Sequence, residues 1–314
     1  MTNIKYKLCL DILLSTIKGG TMPFLYSIII TICAFFASAD ISAQSASQDQ
    51  LKIMSFNIRR EGPEKENKNR WQNRQQQVVG IIKNNAPDII GLQEATPNQV
   101  TALAAALPDY HLVGKGRGSH YFGRSKNEHT TVAFNTNRFT LQDHGTFVIS
   151  QGTKNPFKWK SKGKVPRIAT WVLLYDKCAQ RTVCLYNTHL DHDYGKVQLT
   201  GLSNMVADIQ KRGFLPKNIP VIITGDFNTP LTQSVLTILA PIATVNTKNS
   251  AQSVTGPAAT FAGWRGSGTR TIDHILIAGN NRHFNVLQHA VLQEPNSNKR
   301  PSDHRPVVVT LQYK

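Results

Sequence analysis

The sequence predicts one α/β domain in which two packed β-sheets are flanked by helices. Short apolar runs of strand length alternate with a few stretches of helical spacing throughout residues 51–314. Strands dominate, and no linker divides them. The chain has 314 residues and 40% hydrophobic content, enough for a sizeable core, and shows no repeat of solenoid period.

The N-terminal segment stands apart. "PFLYSIIITICAFFASA", residues 23–39, is an apolar run ending in small residues. Ala37-Ser38-Ala39 fits the small-x-small pattern of signal cleavage, and Ala43 offers a second site. The run is short for a bilayer span of about 20 residues. Its positive flank is thin, with Lys18 ahead of Met22, and Met22 is an alternative start. Residues 1–43 therefore read as a targeting segment for an exported protein, periplasmic or secreted, with an uncleaved membrane anchor as the alternative. Residues 44–50 read as a polar leader and residues 51–314 as the folded domain.

"LKIMSFNIRR" opens that domain as a strand from Leu51. "NRWQNRQQQVVGIIKNN" sets Trp71, Val78 and Ile82 on one helical face and stops before Ala86-Pro87. "DIIGLQEA" is a strand running to Glu94. Thr96-Pro97 starts a helix, Gln99 completes a capping-box pattern, and Val100, Leu103 and Leu107 share a face. "TTVAFNTNRFTLQDHGTFVIS" predicts a hairpin turning at Asn135–Asn137. "TWVLLYD" and "VCLYNTHL" predict another, centred near Arg181, with Cys178 and Cys184 across from each other. Export would permit a disulfide there; two reduced thiols are the alternative. "GKVQLTGLSNMVADIQKR" is helical, and "VIITGDFNTP" is a buried strand that stops abruptly before Pro230. "TIDHILIA" and "RPVVVTLQY" are the last strands, and residues 114–128, 152–166 and 246–269 read as loops.

The informative pattern is where polar residues sit. Asn57, Glu94, His189 with Asp191, Asp226 with Asn228, Asp273 with His274, and Asp303 with His304 each lie near an end of a strand-like run. Each alone has an ordinary structural explanation, such as a turn cap or a hydrogen-bonded core histidine. Together they form an inventory of carboxylates, amides and histidines, with no thiolate ligand set and no Gly-x-Ser-x-Gly nucleophile. Carboxylate oxygens suit Mg²⁺ or Mn²⁺, and histidines suit proton transfer. That is equipment for metal-assisted hydrolysis of a phosphate ester.

"SFNIR", "DIIGLQE", "NTHLDH", "TGDFN", "IDHI" and "PSDHRPV" follow one another as in the endonuclease/exonuclease/phosphatase superfamily, which the chain resembles over roughly residues 51–313. "YHLVGKGR", "GTFVIS" and "VPRIATW" are similar to its compact bacterial secreted, deadenylase-like branch; Val148 departs from that branch, which usually has an aromatic in this segment. The resemblance implies mixed sheets in a four-layer α/β/β/α sandwich like that of deoxyribonuclease. It implies a Mg²⁺ cofactor, with Mn²⁺ as the alternative, held by Glu94 with Asn57 beside it and Asp303 in support. It further implies that His304, oriented by Asp273, works with water or phosphate, that Asp226 orients or deprotonates water, that Asn228 bonds a phosphate oxygen, and that His189 contacts phosphate or assists the leaving group. Arg117, Arg167 and Asp191 are the substrate-binding candidates, the two guanidiniums matching phosphate oxygens; Glu128, His192 and His274 are weaker ones.

Lys and Arg number 36 against 19 acidic residues, a net charge of +17, which attracts polyanions. The expected partner is a phosphate-ester substrate, with nucleic acid favoured. Lys-rich "GTKNPFKWKSKGK" would track a phosphate backbone, and Trp159 and Trp264 would stack on bases. No obligate protein partner is implied, and the chain reads as a monomer. A lipid or inositol-phosphate hydrolase of the same fold, and a catalytically inactive anion binder, are the competing readings.

Overall fold

The computed structural model describes residues 49–118, 127–150, 166–192, 195–266, 268–280, 282–293 and 300–314. The targeting segment and Trp159 with its lysines lie outside these residues. The folded unit starts at β1 (Gln50–Asn57), one residue before the expected Leu51.

Two mixed sheets face each other. The first has seven strands, ordered β10 (Ser253–Thr255), β12 (Phe284–Val291), β13 (Val307–Tyr313), β1, β2 (Ile89–Ala95), β4 (His129–Asn135) and β3 (Tyr110–Val113). The second has six: β5 (Phe139–Val148), β6 (Ile168–Asp176), β7 (Arg181–His189), β8 (Val221–Asp226), β11 (Asp273–Ala278) and β9 (Val245–Asn246). Helices α1 (Trp71–Asn85) and α2 (Pro97–Ala106) cover the first sheet; α3 (Gly195–Arg212) and α4 (Gln233–Leu239) cover the second. A short α5 (Thr247–Ser250) precedes β10 within the segment expected to be loop.

Strand alternation builds these layers. Ile53, Ile89, Leu185 and Ile222 point between the sheets, and their chain neighbours Met54, Ile90, Tyr186 and Ile223 point at the helices. Both faces are covered, so the central strands read as continuous apolar runs rather than alternating ones. On α1, Trp71, Val78 and Ile82 are buried as their spacing predicts, and Arg74 is buried with them. The capping box at Thr96 and Gln99 forms as predicted, with Leu103 and Leu107 buried and Val100 packed against the same cluster.

Two expectations about turns need correction. The segment around residues 135–137 is not a hairpin: β4 belongs to the first sheet and β5 to the second, so the turn carries the chain from one to the other. Arg138, just past it, fixes the crossing. Its guanidinium donates to Asp176 at 2.7 Å and Asp88 at 3.1 Å, and to the Gln50 carbonyl. The β6–β7 hairpin exists, but it turns at residues 177–180, and Cys184 sits opposite Leu173. Cys178 lies in the turn, so the two cysteines are not a cross-strand pair and both are free.

The sheets approach closely at Gly91. A side chain there would collide with Thr224 Oγ1 and come within 2.7 Å of Asn187 Oδ1, both on the opposite sheet. Asn187 uses this closeness, donating to the carbonyls of Leu92 (2.8 Å) and Thr131 (3.0 Å) and accepting from Gln93 Nε2 (2.7 Å). We predict that Gly91→Ala destabilises the domain by about 1–3 kcal/mol through overpacking. Thermal unfolding of that variant, alone and combined with Thr224→Ala, measures it, and the double variant should recover part of the loss.

Candidate active site

The polar strand ends meet at one edge of the sandwich. β1 and β2 run parallel and bring Asn57 and Glu94 together, with Asn57 Nδ2 donating to Glu94 Oε1 at 3.1 Å. The same amide donates to Asp226 Oδ2 at 2.9 Å, tying the first sheet to the second. β8 and β11 are antiparallel with Asp226 and Asp273 directly opposite, so their side chains share a face. His304 lies against both. Its Nδ1–H donates to Asp273 at 2.9 Å, and its Nε2 stands 3.7 Å from Asp226 Oδ2. His189, register partner of Asp226, places Nε2 at 3.6 Å from the same oxygen.

Glu94 needs a special backbone to reach this place. Its φ is 63°, left-handed for a non-glycine residue inside a strand, and the β2–β4 register breaks between Leu92 and Ala95. Asn228, also left-handed at φ 55°, donates its backbone N–H to Asp226 and its side-chain amide to the Leu190 carbonyl, and borders the cleft. Glu94, His189, Asp226, Asp303 and His304 border the same cleft, which holds about 520 Å³.

Burial would raise the Glu94 carboxyl, but Arg59, the His304 cation and the Asn57 amide outweigh it and hold Glu94 below the usual carboxylate range. Burial and the facing Asp273 raise Asp226 to about 7. His304 is opposed by burial, yet Asp273 and Asp226 lift it to about 10, so it is cationic at neutral pH. Burial, with Arg167, pushes His189 well below its ordinary value and keeps it neutral. Carboxylate, imidazolium and neutral imidazole thus converge on one space.

The arginines are already partnered. Arg117 donates to Glu128 at 2.6 Å, and Arg167 lies 2.7 Å from His192 Nδ1 and 3.5 Å from Asp191. Both border the cleft, whereas Asp191 stands behind Arg167 rather than on the wall. His274 bonds the Thr229 carbonyl and stays outside the cleft. Trp264 packs over the Arg74 guanidinium at 5.6 Å.

Several residues that serve the site escape sequence reasoning. Ser302 Oγ donates to the Asn57 carbonyl at 2.7 Å and accepts the His304 backbone N–H. Arg59 Nη1 stands 4.0 Å from Glu94 and 3.8 Å from Asp303, a positive charge between two carboxylates. Asn187 joins the sheets beneath. All three lie inside the motifs "PSDHR", "SFNIR" and "NTHLDH", but nothing in the pattern separates them from their neighbours.

A divalent metal fits this donor set. Glu94 and Asp303 offer hard oxygen ligands on the cleft wall, and the Arg59 guanidinium shows where positive charge is stabilised. Asp226, Asp273 and His304 form a second buried cluster of metal-ligand type. There the His304 N–H already satisfies Asp273.

The fold and the site define a hydrolase of phosphate esters. The chain belongs to the Endonuclease/Exonuclease/phosphatase family, which it matches over residues 54–304 and whose enzymes usually depend on a divalent metal. An endonuclease/exonuclease/phosphatase protein from Bacteroides vulgatus is 26% identical, with a TM-score of 0.72 over 84% of this chain and 99% of its own. The mannosyl-6-phosphatase of Bacteroides thetaiotaomicron is also 26% identical, with a TM-score of 0.70 over 83% of this chain and 99% of its own. The human Nocturnin catalytic domain, with bound sulfate, shares the fold at 21% identity and a TM-score of 0.67, over 85% of this chain and 94% of its own. No curated protein matches the chain.

His304 and Asp273 should act as one unit. His304→Ala and Asp273→Asn are each expected to lower kcat on a phosphodiester, and the double variant should be little worse than the weaker single. Steady-state kinetics of the three variants check this; fully multiplicative losses would contradict the pairing.

Proposed function

We propose that the chain is a Mg²⁺- or Mn²⁺-dependent phosphoesterase acting on a compact phosphorylated substrate of nucleotide or sugar-phosphate size. The observation behind this reading is the cleft itself, about 520 Å³ and bordered by five arginines, Arg59, Arg60, Arg117, Arg167 and Arg270, beside the proton-handling groups. That volume lies in the range of small-molecule sites, and guanidiniums match phosphate oxygens.

Glu94, supported by Asn57, and Asp303 would hold the metal. When bound, it supplies positive charge to phosphate oxygens and to the developing leaving group. Asp226 receives the proton of the attacking water, since its Oδ2 lies between two imidazole Nε2 atoms at the cleft. His304, kept cationic and fixed in tautomer by Asp273, stabilises negative charge building on the phosphoryl group. His189 contacts the same phosphate, and Asn228 borders it with its amide held in place. Arg117 and Arg167 clamp the anionic remainder of the substrate.

A nuclease is the second reading, favoured by the net charge of +17. Salt dependence separates the two. Hydrolysis of nucleotides and sugar phosphates is expected to outpace cleavage of oligonucleotides, with a KM that varies little with salt. A polymer substrate would instead lose affinity with a log–log slope of about −0.7 per phosphate contact on single strands. A steep slope together with preferred cleavage of oligonucleotides would overturn the small-substrate reading.

A further inference from the structure

Arg74 is the largest fully buried side chain among the described residues, and no carboxylate pairs with it there. It stands on α1, in the outer helical layer, and contributes nothing to the cleft wall. Its guanidinium lies over two indoles, 5.1 Å from the Trp71 ring and 5.6 Å from the Trp264 ring. Burial lowers it to about 10, so it is cationic at neutral pH.

All its donors go to backbone carbonyls. Nε donates to Asn69 at 2.9 Å, Nη1 to Pro301 at 2.9 Å and to Ile58, and Nη2 to Arg60 at 3.3 Å and to Arg59. A guanidinium has five N–H groups, and here five carbonyls receive them. These carbonyls come mainly from two segments that carry the site. Residues 58–60 follow Asn57, and the Arg60 N–H donates to Glu94 Oε2 at 3.1 Å. Pro301 immediately precedes Ser302, Asp303 and His304. The turn that supplies Trp264 belongs to the same assembly, because the N–H groups of Ala262 and Gly263 both reach the Asp303 carbonyl.

We propose that Arg74 is a positioning residue for hydrolysis: it bolts the segment after Asn57 to the segment before Asp303 and thereby sets the separation of Glu94 and Asp303. It acts through the backbone and touches neither substrate nor metal. Lysine cannot replace it, because an ammonium is a point charge with three donors and cannot span carbonyls on several segments. Removing the cation also leaves buried carbonyls without donors, which lets the two segments drift. A misplacement of about 1 Å at a catalytic centre costs on the order of 100-fold in rate.

The inference rests on the proposed metal-holding role of Glu94 and Asp303, and its test separates the two ideas. Arg74→Lys and Arg74→Ala are compared with the unaltered chain, with the folded fraction read by near-ultraviolet circular dichroism and Mn²⁺ affinity by calorimetry on metal-free protein. Arg74→Lys is expected to fold, to bind Mn²⁺ about 10–100-fold more weakly, the cost typical of lost supporting contacts, and to lose kcat per folded molecule with KM little changed. Guanidinium at millimolar concentration, but not equal urea, should restore part of the kcat of Arg74→Ala. Wild-type Mn²⁺ affinity and kcat per folded molecule in Arg74→Lys would overturn the proposal. So would activity that falls only in proportion to the folded fraction, or complete failure of Arg74→Lys to fold, either of which makes Arg74 a requirement of the fold alone. If the unaltered chain binds no Mn²⁺, it is the metal reading that fails, and the kcat and rescue arms still decide for or against Arg74.

Discussion

A break in one strand sets the geometry of the site. β2 pairs regularly with β4 as far as Leu92, loses register, and resumes at Ala95. In the gap Glu94 adopts left-handed backbone, a conformation that costs on the order of 1–3 kcal/mol for a residue with a side chain. The surroundings over-determine it. Asn187 crosses from the opposite sheet to bond the carbonyls of Leu92 and Thr131, the last register pair before the break. Gly91, without a side chain, lets the sheets come close enough for that contact. The Arg60 N–H and the Asn57 amide then take up the two carboxylate oxygens of Glu94. Strain in β2 therefore aims one carboxylate at the cleft.

Electrostatics completes what the break begins. Buried Asp226 and Asp273 face each other across a strand pair, and the His304 cation between them, with the Asn57 amide and the Asn228 N–H on Asp226, makes that tolerable. Arg59 performs the same service for Glu94 and Asp303. The His304 cation is held by groups that serve the chemistry, so little reorganisation is needed there when a phosphate enters. Breaking one such pair would strand a buried charge, which is why the site and its supports behave as a unit.

Much of this was legible in the sequence, and the boundary has physical causes. Continuous apolar runs marked the central strands, and the polar residues where those runs stop marked Asn57, Glu94, His189, Asp226, Asp273 and His304, because a polar group at the exit of a buried strand can reach a cleft at the sheet edge. Helical spacing on α1 and the capping box at Thr96 were equally plain. The crossing at residues 135–137 was not, since a turn between apolar runs looks the same whether the next strand pairs with the last or joins another sheet. Arg138 decides it through Asp88 and Asp176, which are distant in sequence. The turn after β6 fell earlier than expected, which removed the cysteine pair. Arg59, Asn187 and Ser302 act through contacts across sheets and loops that spacing does not encode.

The central claim is that the turned carboxylate of Glu94 is the anchor for a divalent metal. Anomalous diffraction from crystals soaked in Mn²⁺ tests it most directly. The account predicts a peak about 2.1 Å from a Glu94 carboxylate oxygen, the distance kept by a small hard cation, with the Arg59 guanidinium moved aside. A peak seated on Asp226, Asp273 and His304 with Glu94 unliganded, or no peak at either place, would contradict it.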